Sequence, residues 1–310
     1  MTRIVHDCDP GHDDAIALLV ALGSPELDLL GVTTVAGNQP LELTTANALR
    51  LLDYLGRTDI PVAAGAPQPL VRQRDTSADD DVTADTGLGG IDLPPPSRHA
   101  EPQHAIDWLA RAVSESPAKV TLVATGPLTN VALLLARYPE AEAGLERIVL
   151  MGGAIGEGNV TPAAEFNIWT DPEAAARVLA SGLDLTMVGL DVTYRALMRS
   201  DHGERLAASG RAGQVAAGLH RHYSRFHPRR PPLEGLPVHD AVAMAYVIDP
   251  TLLELQHCGV RVDTGPELSR GRTYVDRWAR TGWSPNCRVA VGIDSERFFE
   301  LLIERVGRLG

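Results

Sequence analysis

Five short apolar runs recur along the chain, at 29–35 (LLGVTTV), 120–124 (VTLVA), 148–151 (IVLM), 185–190 (LTMVGL) and 289–293 (VAVGI). Helical periodicity fills the intervals near 40–55, 103–115, 128–136, 172–181 and 239–247, with a last helix at 296–306. Strands that are apolar at every position are buried on both faces, and their alternation with helices calls for a mostly parallel sheet. The expectation is therefore an α/β fold with a Rossmann-like core: an open, mostly parallel sheet with helices on both faces. No Pro/Gly/Ser-rich linker divides the 310 residues, so one domain spans 1–310. In such folds ligands bind beyond the carboxyl ends of the strands.

The first of those ends is the most acidic. Residues 2–6 read as a strand, Pro10-Gly11 as a turn, and 13–22 (DDAIALLVAL) as an amphipathic helix. The junction DCDPGHDD places Asp7, Asp9, Asp13 and Asp14 within eight residues. At ~4 Å two like charges repel by about 4 kcal/mol at an effective dielectric near 20, so a cluster this dense needs a cation. Oxygen donors alone select a hard ion, Ca²⁺ first and Mg²⁺ or Mn²⁺ next. Helix-terminus and turn-capping roles account for Asp13 and Asp14 but leave Asp7 and Asp9 unexplained. Further polar residues follow other strand ends: Asn38, Thr125, and the segment 159–167. His239-Asp240 opens a later helix.

Composition narrows the chemistry. A formal net charge of −12 invites neither nucleic acid nor an anionic membrane. Lys119 is the only lysine, which excludes most lysine-dependent mechanisms. Cys8, Cys258 and Cys287 are far apart and form no C-x-x-C pair, against a disulfide framework or a thiolate zinc site. Without an apolar signal segment or a run near ~18 apolar residues, a cytoplasmic location is expected.

Two stretches depart from the alternating pattern. Residues 72–102 are acidic and rich in Gly and Pro, and read as a surface loop or a flap over the site. Residues 200–237 form an excursion with an aromatic and basic helix (LHRHYSRFHPRR) followed by Pro-rich coil.

Taken together, DCDPGHDDAIALL, VTTVAGNQ, TGPLTN, MGGA, GNVTPAAEFNIWTDPEAA, PVHDAVAMAYVID and RGRTYVDR resemble, in order, the inosine–uridine-type nucleoside hydrolases. The resemblance spans essentially the whole chain. It implies Ca²⁺ held by Asp9, Asp14, Asp240 and the main-chain carbonyl of Thr125. It implies a ribose-binding set of Asp13, Asn38, Asn159, Glu165 and Asn167, whose short acceptors and amides suit vicinal diols. The reaction implied is hydrolysis of the N-glycosidic bond of ribonucleosides to ribose and free base, in the service of purine or pyrimidine salvage. Asp9 would activate a metal-bound water as general base and His239 would assist the leaving base. A homodimer or homotetramer is also implied.

Many members of that family carry a His-Gly step in the flap, where this chain reads Asp81-Val82-Thr83-Ala84-Asp85-Thr86-Gly87-Leu88. A non-catalytic Ca²⁺- and nucleoside-binding protein is therefore an alternative. In the excursion, His220, His222, Tyr223, Phe226 and His227 could stack on or protonate a base, while Leu219, Tyr223 and Phe226 fall at core-like helical spacing. The Asp-x-Asp step after the first strand also suits a haloacid-dehalogenase-type phosphatase with Mg²⁺. That mechanism wants a downstream lysine, and Lys119 precedes its strand, at the wrong end.

Overall fold

The computed structural model describes residues 1–74, 87–89, 91–226, 235–265 and 267–310. Its strands are β1 (Thr2–Cys8), β2 (Leu27–Thr34), β3 (Val62–Ala64), β4 (Val120–Ala124), β5 (Leu145–Met151), β6 (Leu185–Val188), β7 (Leu197–Met198), β8 (Leu236–Pro237), β9 (Leu253–Val262), β10 (Thr273–Asp276) and β11 (Cys287–Ile293). Its α-helices are α1 (His12–Leu22), α2 (Leu41–Tyr54), α3 (Ala105–Glu115), α4 (Thr129–Arg137), α5 (Phe166–Thr170), α6 (Pro172–Leu179), α7 (Leu190–Thr193), α8 (Ser200–Ala208), α9 (Arg211–Phe226), α10 (His239–Ile248) and α11 (Ser295–Gly307).

Nine strands form one sheet in the order β10-β9-β11-β6-β5-β4-β1-β2-β3. The seven from β11 to β3 run parallel, as the continuous apolar runs predict, and β9 pairs antiparallel with both β11 and β10. The chain builds outward in two directions from β1, through β2 and β3 on one side and β4, β5 and β6 on the other. The gap beyond the carboxyl ends of β1 and β4 is thus the topological switch point, where open α/β sheets bind ligands. Asp9 follows one of these strands and Thr125 the other.

Each face of the sheet carries its own apolar core. Helices α1, α2, α9, α10 and α11 cover one face, around Ile4, Ile16, Leu19, Val242 and Phe298. Helices α3, α4 and α6 cover the other, around Val5, Leu122, Leu109, Val131 and Val178. Because side chains alternate along β1, His6 shares the α1 face with Ile4 and Cys8, whereas Asp7 points toward α4.

The structure corrects several local expectations. Helix α1 is not amphipathic: Asp13 through Ala21 are all buried, because other helices pack around it. The run 185–190 is a strand only to Val188, and Leu190 opens the short helix α7. Strand β1 continues two residues past the expected 2–6, carrying Asp7 into the sheet. In the excursion the structure forms α8 and α9, while 227–234 lie outside the described residues. Part of the acidic stretch expected as a flap, 75–86 together with residue 90, also lies outside them, including six of the eight residues at the flap-histidine position.

Candidate active site

Two helix N-termini converge at the switch point. Asp13 and Asp14 stand in the first turn of α1 and Asp240 in the first turn of α10, and the partial positive charge of each terminus favours carboxylates there. Asp9 reaches the same place from the turn after β1. Asp9, Asp14 and Asp240 are almost completely buried, and Asp13 is 7% exposed. One carboxylate oxygen from each of Asp13, Asp14 and Asp240 lies within 4.8 Å of the others. The tightest trio thus contains Asp13, with Asp9 beside it.

Burial and mutual repulsion dominate the electrostatics. Desolvation, and then the neighbouring carboxylates, push Asp9 and Asp240 well above the usual carboxylate range and Asp14 up to about 6. Burial also acts upward on Asp13, but His12, His239 and a hydrogen bond with Asp240 outweigh it and hold Asp13 low. Protons therefore collect on Asp240 and Asp9 while Asp13 stays ionised.

The donors fit a hard divalent ion. Asp9 Oδ2 accepts the Asn38 backbone N–H at 2.5 Å, while Oδ1 is buried with no hydrogen-bond partner among the described residues. Glycines form the wall around this carboxylate. A Cβ on Gly37 would lie 2.1 Å from Asp9 Oδ2, and one on Gly126 2.8 Å from Oδ1. A buried charged oxygen without a partner is costly unless a cation completes it. His6 and Cys8 also approach Asp14. Two of their polar atoms are engaged elsewhere, His6 Nε2 with Thr125 Oγ1 at 2.8 Å and the Cys8 thiol with Thr33 O at 3.8 Å. Oxygen thus dominates the donor set, as the sequence led one to expect.

Asn38, Asn159, Glu165 and Asn167 spend much of their hydrogen-bonding capacity on the scaffold. The Asn38 amide donates to Asp14 Oδ2 and to the Asp9 carbonyl, each at 3.3 Å. Asn159 Oδ1 accepts the Phe166 N–H at 2.9 Å. Glu165 is the N-cap of α5, its carboxylate accepting backbone N–H groups of Asn167, Gly153 and Ile168 at 2.9–3.1 Å. Burial nevertheless pushes Glu165 up to about 7. The Asn167 amide donates to the carbonyls of Thr125 (2.6 Å) and Met151 (3.1 Å), tying together the ends of β4 and β5.

Asp7 behaves differently from its neighbours in the octet. Its Oδ1 accepts from Thr33 Oγ1 at 2.5 Å and from Asn130 Nδ2 at 2.8 Å, beneath the site and on the opposite face of the sheet. The fourth carboxylate of the cluster comes instead from α10.

His239 Nδ1 lies 2.7 Å from Thr193 Oγ1, and Tyr194 packs edge-on against the ring at 5.2 Å. Sequence reading missed Thr193 and Tyr194, the last residue and the C-cap of a short helix that no periodicity marks. On α9, Tyr223 stacks on His12 with centroids 3.8 Å apart and planes inclined by 13°. His12 in turn lies 3.5 Å from Asp13, so Tyr223 borders the acidic cluster and does not belong to the core. Leu219 is core, at 1% exposure. His222 faces the backbone of Gly89, and burial pushes His220 down to about 4. The side chain of Phe226 and all of His227 lie outside the described residues.

Comparison with known proteins gives a consistent picture. Residues 4–300 match the family model described as inosine-uridine preferring nucleoside hydrolase. The pyrimidine-specific ribonucleoside hydrolase RihA of Shewanella sp. (strain MR-7) is 48% identical over 304 residues, covering 97% of this chain and 95% of that protein. Its counterpart in Citrobacter koseri is 46% identical over 305 residues, covering 98% and 97%. A purine-preferring ribonucleoside hydrolase from Gardnerella vaginalis superposes with a TM-score of 0.92 at 33% identity, over 99% of both chains. The arrangement of acids at the switch point and the full-length similarity lead to one conclusion. The chain belongs to the inosine–uridine preferring nucleoside hydrolase family and is an enzyme that hydrolyses the N-glycosidic bond of ribonucleosides.

Proposed function

We propose that the enzyme cleaves pyrimidine ribonucleosides, with Ca²⁺ held by Asp9, Asp14, Asp240 and the main-chain carbonyl of Thr125. The observation that carries the metal reading is the buried, unpartnered Asp9 Oδ1 among carboxylates at two helix N-termini. Ca²⁺ accepts carboxylate and carbonyl oxygens together and tolerates irregular geometry, which Mg²⁺ does not. When bound, the ion would lower the pKa of a water and grip the vicinal hydroxyls of the ribose. The pyrimidine reading rests on full-length relatives at 46–48% identity named as pyrimidine-specific, against 33% for the purine-preferring enzyme.

The chain's own residues supply the rest. Asp9 is the general base that takes the proton of the attacking water, its carboxylate held in place by the Asn38 N–H on Oδ2. Asp13, kept ionised by its histidine neighbours, accepts from a sugar hydroxyl. Together with the other acids it stabilises positive charge developing on an oxocarbenium-like sugar. Asn38, Asn159, Glu165 and Asn167 complete the ribose contacts with the donors and acceptors that the scaffold leaves them. With Nδ1 engaged by Thr193, His239 delivers a proton to the leaving base through Nε2. The stacked His12–Tyr223 pair offers a flat aromatic surface to the base.

The test is ribose release from uridine, cytidine and inosine after chelation and after Ca²⁺ is restored. Expected are turnover of uridine and cytidine, its loss on chelation, its recovery with Ca²⁺, and a kcat/KM for inosine at least about tenfold lower. Nucleoside binding without ribose release on any substrate would favour the non-catalytic alternative. Inosine cleaved as well as uridine would overturn the base assignment. The proposal extends to a cytoplasmic homodimer or homotetramer, which light scattering on the purified protein and cell fractionation check. Among the described residues no helix is long and apolar enough to cross a membrane.

A further inference from the structure

We propose that His6 is a positioning residue that orients the Asp14 carboxylate through the hydroxyl of Thr125. The inference rests on the reading above that Asp14 and Thr125 hold the ion. His6 is completely buried on β1, facing α1. Its Nε2 lies 2.8 Å from Thr125 Oγ1, and that hydroxyl donates to Asp14 Oδ1 at 2.7 Å.

Proton counting fixes the direction of this chain. A threonine hydroxyl carries one proton and two lone pairs, and an ionised carboxylate can only accept. The Thr125 proton therefore goes to Asp14, and the short contact to His6 requires imidazole N–H to be the donor. The ring must then carry its proton on Nε2. Nδ1 is left as a bare acceptor, and it is the ring atom found buried without a partner.

Thr125 becomes a rigid junction as a result. Its backbone N–H donates to the Asp7 carbonyl at 2.8 Å and its own carbonyl accepts from Asn167 at 2.6 Å. His6 fixes the remaining freedom, the rotation of the hydroxyl. The other ties on Asp14 are looser, at 3.4 Å from Gly11 N and 3.3 Å from the Asn38 amide, both to Oδ2. The strongest restraint on this carboxylate is thus the one that His6 sets. A single side chain, Thr125, would present one ligand through its main chain and aim a second through its hydroxyl. Groups that orient metal ligands in this way govern affinity nearly as much as the ligands do.

The experiment is calorimetric titration of chelator-treated protein with Ca²⁺ alone. His6→Leu, which fills the same core space without a donor, should bind Ca²⁺ about 10- to 100-fold more weakly than wild type. His6→Gln, which keeps an N–H donor, should recover most of the affinity. Thr125→Val should match the loss of His6→Leu, and the double variant should lose no more than either single one. Thr125→Val reads the same relay from its other end should His6→Leu fail to fold. Equal affinity for wild type and either single variant overturns the relay while leaving the metal reading intact. So does a His6→Leu loss that persists in the Thr125→Val background, which marks packing as the cause. Absence of Ca²⁺ binding by wild type overturns the metal reading, and this inference with it.

Discussion

The hydroxyl of Thr193 sits 2.7 Å from His239 Nδ1, and the proposed role of the ring is to protonate the leaving base through its other nitrogen. A proton donor matters in proportion to the basicity of the leaving group. His239→Ala should therefore lower kcat on uridine by about 10²- to 10⁴-fold and leave p-nitrophenyl riboside, whose leaving group needs no proton, nearly unaffected. Equal losses on both substrates would contradict the role. Single residues were also where sequence reading succeeded and failed most clearly. Asp9 and Asp14 of the opening octet, Thr125 and Asp240 are brought together from three distant segments. Asp7 belongs to the same octet yet bonds with Thr33 and Asn130 on the far side of the sheet, because strand alternation turns it away. Glu165 was singled out in the sequence, but its capping of α5 was not read there, since three backbone donors close on it only after β5 and α5 are in place. His6 reads as an ordinary strand residue until Thr125, 119 positions later, meets it.

At the scale of elements, the turns after the strands decide the geometry of the site as much as the acids do. The turn between β2 and α2 passes so close to Asp9 that a Cβ on Gly37 would sit 2.1 Å from the carboxylate and 2.8 Å from Pro127. The side chain of Asp9 must then move. Gly37→Ala should reduce kcat/KM by at least about 10²-fold, the cost of displacing a catalytic group by ~1 Å, with an unchanged far-UV CD spectrum. Wild-type activity in this variant would mean that Asp9 need not occupy its observed place. Elements with unbroken apolar runs were legible in the sequence, β4 to the residue. Strand β9 was not, because it lies near the sheet edge and mixes buried with exposed positions, so LELQHCGVRV carries no clean period. Helix α1 was legible as a helix but not as a buried one. Its two leading carboxylates are themselves buried in its first turn, beside Asp240.

For the molecule as a whole, the cluster couples metal, protons and folding. Asp14 is raised to about 6, and Asp9 and Asp240 are likewise raised well above the ordinary carboxylate range, by burial first and mutual repulsion second. In the metal-free fold these acids hold protons that the unfolded chain has released above its ordinary carboxylate pKa, and the ion must displace them to bind. The rise in Tm produced by Ca²⁺ over chelator should accordingly be small near pH ~5 and grow as pH rises through ~6 toward ~8. His6 and His220, whose depressed pKa values act in the opposite sense, are common to both conditions and drop out of the difference. A Ca²⁺ effect that shrinks with rising pH would contradict this coupling. The stacked His12–Tyr223 pair has a broader consequence. The acids, glycines and amides that would hold the sugar are anchored at the ends of central strands and the tips of two enclosed helices. Tyr223 belongs to α9, which packs on α1 and brings this ring onto His12 beside the acids. If Tyr223 meets the base as proposed, preference for one nucleobase over another would drift by substitution along α9 without change to the residues at the strand ends, so that selectivity and chemistry would diversify on separate parts of the same chain.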